Sequence, residues 1–104
     1  MTTDLKQVIH EQVTGNRVAL YMKGTPQFPS CGYSANAIRI LQAVGATDAA
    51  CINMIQYPEL TAPLREYANW PTLPALFIKG EFIGGSDIMT EMHQSGELKK
   101  LLEA

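Results

Sequence analysis

Apolar residues first recur at Leu5, Val8, Ile9 and Val13, the spacing of one face of a helix. Thr2, Thr3 or Asp4 can cap its start, and Gly15-Asn16 can end it. The period then changes: Val18-Ala19-Leu20-Tyr21-Met22 is an unbroken apolar run, too short for a helix, and it predicts a buried strand. Helical spacing returns at Ala37, Ile38, Leu41 and Val44, so a helix is expected over 32–44, stopped by Gly45. Residues 49–55, Ala-Ala-Cys-Ile-Asn-Met-Ile, supply the next strand, and strand, crossover, strand reads as a parallel unit.

Leu60, Leu64 and Tyr67 mark a third helix. Pro63 inside that pattern predicts a break or a start there, because proline lacks the amide donor and clashes with the preceding turn. Trp70-Pro71-Thr72-Leu73-Pro74 disfavours helix and fixes the approach to a strand, Ala75-Leu76-Phe77-Ile78. Lys79-Gly80-Glu81 turns the chain into Phe82-Ile83, the return strand of a hairpin. Gly84-Gly85-Ser86-Asp87 opens a helix through Met89, Met92 and His93, and Ser95-Gly96 separates a last short helix with Leu98, Leu101 and Leu102. The order α-β-α-β-α-β-β-α-α begins with a parallel βαβ unit and ends in an antiparallel hairpin. An α/β fold with a mixed four-stranded sheet flanked by helices accounts for it.

A chain of 104 residues fits one domain, residues 1–104, without repeats or long linkers. Net charge is −2 and the basic residues are scattered, which leaves no footprint for nucleic acid or an anionic membrane. No apolar run approaches the about 18 residues of a membrane span, and the first ten residues lack a signal layout, so a soluble cytoplasmic protein is expected. The two cysteines, Cys31 and Cys51, have no framework spacing, and a reducing compartment would keep both as thiols.

The chemistry concentrates in Lys23-Gly24-Thr25-Pro26-Gln27-Phe28-Pro29-Ser30-Cys31-Gly32-Tyr33-Ser34. Cys31 falls at a strand-to-helix junction, where the first helical N–H groups have no internal partner and the dipole favours an anion such as a thiolate. Lys23 adds a second positive charge, and two prolines stiffen the loop. Ser34 stands where a Cys-x-x-Cys motif would carry its second thiol, so Cys31 is left with a mixed disulfide to an outside thiol, a disulfide to a distant cysteine, or metal ligation. The plainer reading, a small buried apolar residue, is assigned to Cys51. His10 reads as solvated, and Met54, Met89 and Met92 as core filling rather than a soft-metal site. For Arg65, a solvated role competes evenly with anion binding.

Three segments, Met22 to Ser34, Tyr67 to Pro74 and Gly80 to Ile88, together resemble the monothiol glutaredoxins of the Cys-Gly-Phe-Ser type over nearly the whole chain. The resemblance implies a thioredoxin-like fold, a cis peptide before Pro74, and a glutathione site. Leu73 would offer its backbone like an added strand, Lys23 and Arg65 would meet the glycyl carboxylate, and the Gly85-Ser86-Asp87 turn the γ-glutamyl end. Gly32, Tyr33, Thr72 and Pro74 complete the implied site. Tyr33 replaces the usual phenylalanine and is shared in type with the dithiol group, whereas the long loop from Lys23 to Cys31 is of the monothiol kind. Thr61 stands where many members carry arginine, and Ser86 where some carry a second cysteine.

The resemblance further implies a [2Fe–2S] cluster bound by Cys31 of two chains and two glutathiones, with a homodimer when loaded and a monomer when empty. Such a protein would pass clusters to apo iron–sulfur proteins or a BolA-like partner and act in iron homeostasis. The alternative is a glutathione-dependent thiol–disulfide oxidoreductase that deglutathionylates proteins through Cys31. A redox-inert adaptor is the third possibility.

Overall fold

The computed structural model describes residues 4–70 and 72–103, so the cap candidates Thr2 and Thr3, and Pro71, lie outside the described residues. Helix α1 (Leu5–Thr14) is capped by Asp4, whose carboxylate accepts the N–H groups of Lys6 and Gln7, and it ends at Gly15. Strand β1 (Val18–Met22) is buried at every position. Helix α2 (Gly32–Ala43) stops at Val44, one residue before Gly45. Strand β2 (Ala50–Asn53) is shorter than the run 49–55. Asn53 ends it, because its side-chain oxygen accepts the N–H groups of Gly24 and Ile55, each at 3.0 Å, and draws the chain into a turn.

A short 3-10 turn, Pro58–Leu60, runs directly into α3 (Thr61–Ala68). Pro63 therefore neither breaks nor starts that helix. It is the third helical residue, in the first turn, where amide donors lack intrahelical acceptors and a missing N–H costs little. Strands β3 (Ala75–Ile78) and β4 (Glu81–Gly84) are joined through Lys79 and Gly80, with φ of 52° and 82°. Two consecutive positive φ values suit the twist of a tight hairpin. Helices α4 (Ser86–Ser95) and α5 (Glu97–Glu103) close the chain.

The sheet runs β2-β1-β3-β4. β1 is parallel to β2 and antiparallel to β3, and β3 is antiparallel to β4. The interior position of β1 and β3 explains their unbroken apolar runs. Val18, Leu20, Met22, Leu76 and Ile78 face a core shared with α2, α4 and α5, while Ala19, Tyr21, Ala75 and Phe77 face one shared with α1 and α3. Each large aliphatic side chain so buried contributes roughly 1.5–3 kcal/mol. Met54 and Met89 are buried and Met92 packs against the core. Cys51 is only partly buried, since β2 is an edge strand. His10 is exposed but not free in solvent: its Nδ1 lies 2.9 Å from the Tyr67 hydroxyl, linking α1 to α3.

The register also fixes where the loops meet. Met22 pairs with Asn53, Tyr21 with Ala75, and Leu76 with Gly84. The end of β1, the end of β2, the start of β3 and the end of β4 thus share one edge of the sheet. The loops that carry the expected chemistry all open there.

Candidate functional site

The loop between β1 and α2 is folded tightly on itself. Ser30 donates its N–H to the Lys23 carbonyl at 2.9 Å, and Thr25 and Phe28 exchange backbone bonds at 3.2 and 3.1 Å. Gly24, with φ of +92°, permits the fold: a Cβ there would stand 2.5 Å from the Phe28 oxygen and 2.7 Å from the Ser30 nitrogen. This loop delivers Cys31 in extended conformation as the N-cap of α2.

At that cap Cys31 Sγ accepts the Ser34 N–H at 3.4 Å, and the Ser34 hydroxyl lies at the same distance. Ser34 is fully buried, and its Oγ accepts the Lys23 N–H at 3.1 Å. An oxygen that accepts from the backbone still has its own proton to donate, and the sulfur is its neighbour. Partial burial pushes the Cys31 thiol up. The Ser34 hydroxyl and N–H, the Tyr33 N–H and the Lys23 charge together outweigh it and hold the thiol below its ordinary value. Cys51 has no such company, and burial pushes it up. Both cysteines are free.

Beside this cap lies a cleft of about 660 Å³. Of the residues marked in the sequence, Lys23, Tyr33, Arg65, Thr72, Leu73, Pro74, Gly85, Ser86 and Asp87 line it. Cys31 and Gly32 line a shallower adjoining hollow, which shares Tyr33, Ser86 and Asp87 with the cleft. The cysteine therefore stands at the mouth rather than on the floor. The peptide between Leu73 and Pro74 is cis, as the resemblance implied.

Several lining residues had no site role in the sequence. Met54 and Leu64 are nearly buried and carried only a core signal, yet an edge of each reaches the cleft. Ile55 is 58% exposed beside them, an apolar shelf that periodicity could not reveal. Trp70 forms part of the wall, its ring 5.5 Å from that of Phe82, and its indole N–H has no partner among the described residues. In the hollow, Asn36 and Arg39 join Cys31.

The electrostatic layout suits a small molecule with anionic ends. Lys23 and Arg65 bring cations to the cleft. Gly85, the N-cap of α4, supplies no side-chain acceptor, so the first N–H groups of that helix remain for a ligand. Between them run apolar walls, as in most small-molecule sites. Among the described residues no three His, Cys, Asp or Glu side chains gather as a metal site. No helix of the described residues is long and apolar enough to cross a membrane.

Comparison with known proteins agrees with this geometry. Residues 18–83 match the glutaredoxin family. The chain is similar to Glutaredoxin 4 of Escherichia coli K12, with 46% identity over 103 residues, covering 99% of this chain and 88% of the relative. It is also similar to the mitochondrial monothiol glutaredoxin-5 of Schizosaccharomyces pombe, with 42% identity over 99% of this chain and 72% of the relative. A crystal structure of a buckwheat glutaredoxin–glutathione complex superposes with a TM-score of 0.84 at 25% identity, covering 95% of this chain and 87% of that one.

Proposed function

Because the chain belongs to the glutaredoxin family, in its monothiol branch, we propose that it seats glutathione in the cleft and carries a [2Fe–2S] cluster as cargo between two copies of itself. The observation that carries this reading is the cap of α2, where a single thiol is held below its ordinary value and the second motif position is a buried serine. A cluster of this type takes four ligands, usually thiolates. One chain offers one, so two chains with Cys31 and two bound glutathiones complete the set. The monomer is the empty form and the homodimer the loaded one.

The Leu73 backbone runs beside glutathione, Lys23 and Arg65 hold the glycyl carboxylate, and Gly85, Ser86 and Asp87 hold the γ-glutamyl end. Gly32, Tyr33, Thr72 and Pro74 shape the space around the sulfur. Glutathione as the ligand is supported by the likeness to a buckwheat glutaredoxin solved as a glutathione complex. Apo iron–sulfur proteins and a BolA-like protein are the proposed recipients and partner. The cytoplasm, where both thiols stay reduced, is the proposed location.

A second reading is favoured by the lowered Cys31 thiol alone. Its thiolate would attack the glutathione sulfur of a glutathionylated protein, releasing the protein thiolate. A second glutathione thiolate would then attack the mixed disulfide, freeing Cys31 and leaving glutathione disulfide. Anaerobic reconstitution with iron, sulfide and glutathione decides between them. The cargo reading expects visible charge-transfer absorption and a dimer, both dependent on glutathione and both lost in Cys31→Ser. Colour that persists in that variant, or rapid deglutathionylation by a monomer that never takes up iron, counts against it.

A further inference from the structure

Asn36 lies on α2 in the turn after Cys31, and its side chain reaches across to α4. Its orientation follows from its neighbours. The Arg39 guanidinium can only donate, and it meets Asn36 Oδ1 at 2.5 Å, so the amide NH₂ faces α4. Both amide hydrogens are used there, one on Ser86 Oγ at 2.8 Å and one on Thr90 Oγ1 at 3.0 Å. Thr90 in turn donates its own proton to the Ser86 carbonyl at 3.0 Å.

This leaves one proton unassigned. Ser86 Oγ accepts from Asn36, so its hydroxyl hydrogen must point elsewhere, and no acceptor for it is present among the described residues. Ser86 is only 7% exposed, and what it exposes lies on the walls of both the cleft and the Cys31 hollow. Buried hydroxyls are normally hydrogen-bonded, so a donor in this position is satisfied by what enters the cleft. The uncapped N–H groups at the start of α4 stand beside it.

We propose that Asn36, braced by Arg39, is a positioning residue that turns the Ser86 hydroxyl proton into the cleft, where it donates to the γ-glutamyl carboxylate of bound glutathione. The inference rests on the glutathione reading above and assigns that end of the ligand a side-chain donor besides the backbone of α4. It also gives serine at this position a use of its own, since a thiol is a much weaker donor.

The test is an exchange equilibrium read at Cys31 by peptide mass. The protein is equilibrated with glutathione disulfide and, separately, with the disulfide of cysteinylglycine, which lacks the γ-glutamyl group. In each case the Cys31 thiolate forms one mixed disulfide and releases one thiolate, so the ratio of the two constants isolates recognition of the γ-glutamyl end. The wild-type chain is expected to favour glutathione. Asn36→Ala and Ser86→Ala are each expected to lower the ratio by about fivefold, and the double variant no further, because all three remove the same donated proton. Asn36→Asp, which keeps the shape and the Arg39 contact but accepts the Ser86 proton, is expected to lower it as well. An unchanged ratio in Asn36→Ala and Asn36→Asp, with both constants falling together, would mean a merely structural role and overturn the inference. So would a loss confined to Ser86→Ala. A wild-type chain that does not discriminate between the two disulfides overturns the seating of glutathione, and the inference with it.

Discussion

Cys31 and Cys51 are the same chemical group and both are partly buried, yet the fold drives them apart. Cys51 sits on the edge strand β2 against the core, with only a long contact from its thiol to the Ala49 carbonyl at 3.7 Å. Burial alone acts on it and pushes it up. Burial pushes Cys31 up too, but two N–H groups, a hydroxyl and an ammonium reverse the outcome. The two thiols therefore part because donors and a charge face Cys31 and outweigh its burial, while at Cys51 burial prevails.

The contrast has a thermodynamic side. Cys31 is depressed in the folded chain, so its ionisation stabilises the fold fully above the ordinary thiol value, and that contribution is lost as pH falls through the folded value. Cys51 is raised, so its protonation stabilises the fold below the ordinary value, and that contribution is lost as pH rises through the folded value. Alkylation rates followed site by site against pH should place the Cys31 midpoint below 9.0 and the Cys51 midpoint above it. Coincident midpoints would remove the basis of the comparison.

The largest effect expected is that of Cys31→Ser, which should abolish mixed-disulfide formation with glutathione and all cluster uptake, whereas Cys51→Ser should leave both intact. Intact mass after treatment with glutathione disulfide and absorbance after reconstitution measure the two. Gly24→Ala should come next. Its side chain would require a strained backbone and would meet Phe28 and Ser30 main-chain atoms, so denaturant unfolding should show a loss of about 2 kcal/mol or more, with Cys31 alkylation altered and that of Cys51 unchanged.

Ser34→Ala is expected to be milder. It removes the hydroxyl beside Cys31 and strips the Lys23 N–H of its acceptor, so the Cys31 midpoint should rise toward the ordinary thiol value and stability fall by about 1 kcal/mol. A midpoint that does not move would transfer the whole effect to the backbone donors and Lys23. The smallest change should follow Lys23→Gln, which raises the Cys31 midpoint by a margin that shrinks in salt, since the charge acts across partly solvated space. The Cys51 midpoint should ignore both substitutions.

Much of the machine could be read along the chain because its signals are local. Continuous apolar runs at 18–22 and 75–78 mark strands buried on both faces, and the step from such a run to helical spacing after 32 places Cys31 at a helix start. The charge of Lys23 and the missing second thiol at Ser34 are likewise visible without coordinates. The places where reading failed depend on neighbours far along the chain. Nothing in residues 49–55 says that Asn53 will turn to accept from Gly24. Pro63 escapes its usual penalty only because a 3-10 turn runs into α3 and leaves it in the first helical turn.

The sequence by itself determined the elements, their order, and which sulfur heads a helix, because periodicity and capping report the free energy of a few consecutive residues. The tertiary structure alone decided that β3 would lie beside β1, and with it that Leu73, Arg65 and Ser86 would line one cleft, with Cys31 in the hollow beside it. It also decided that Ser34 would hold a proton for the sulfur and Asn36 would steer one at Ser86. Strand pairing and hydroxyl direction are set by partners far along the chain, Val18 against Ile78 and Asn36 against Ser86 and Thr90, and only the packing of the whole chain selects among them.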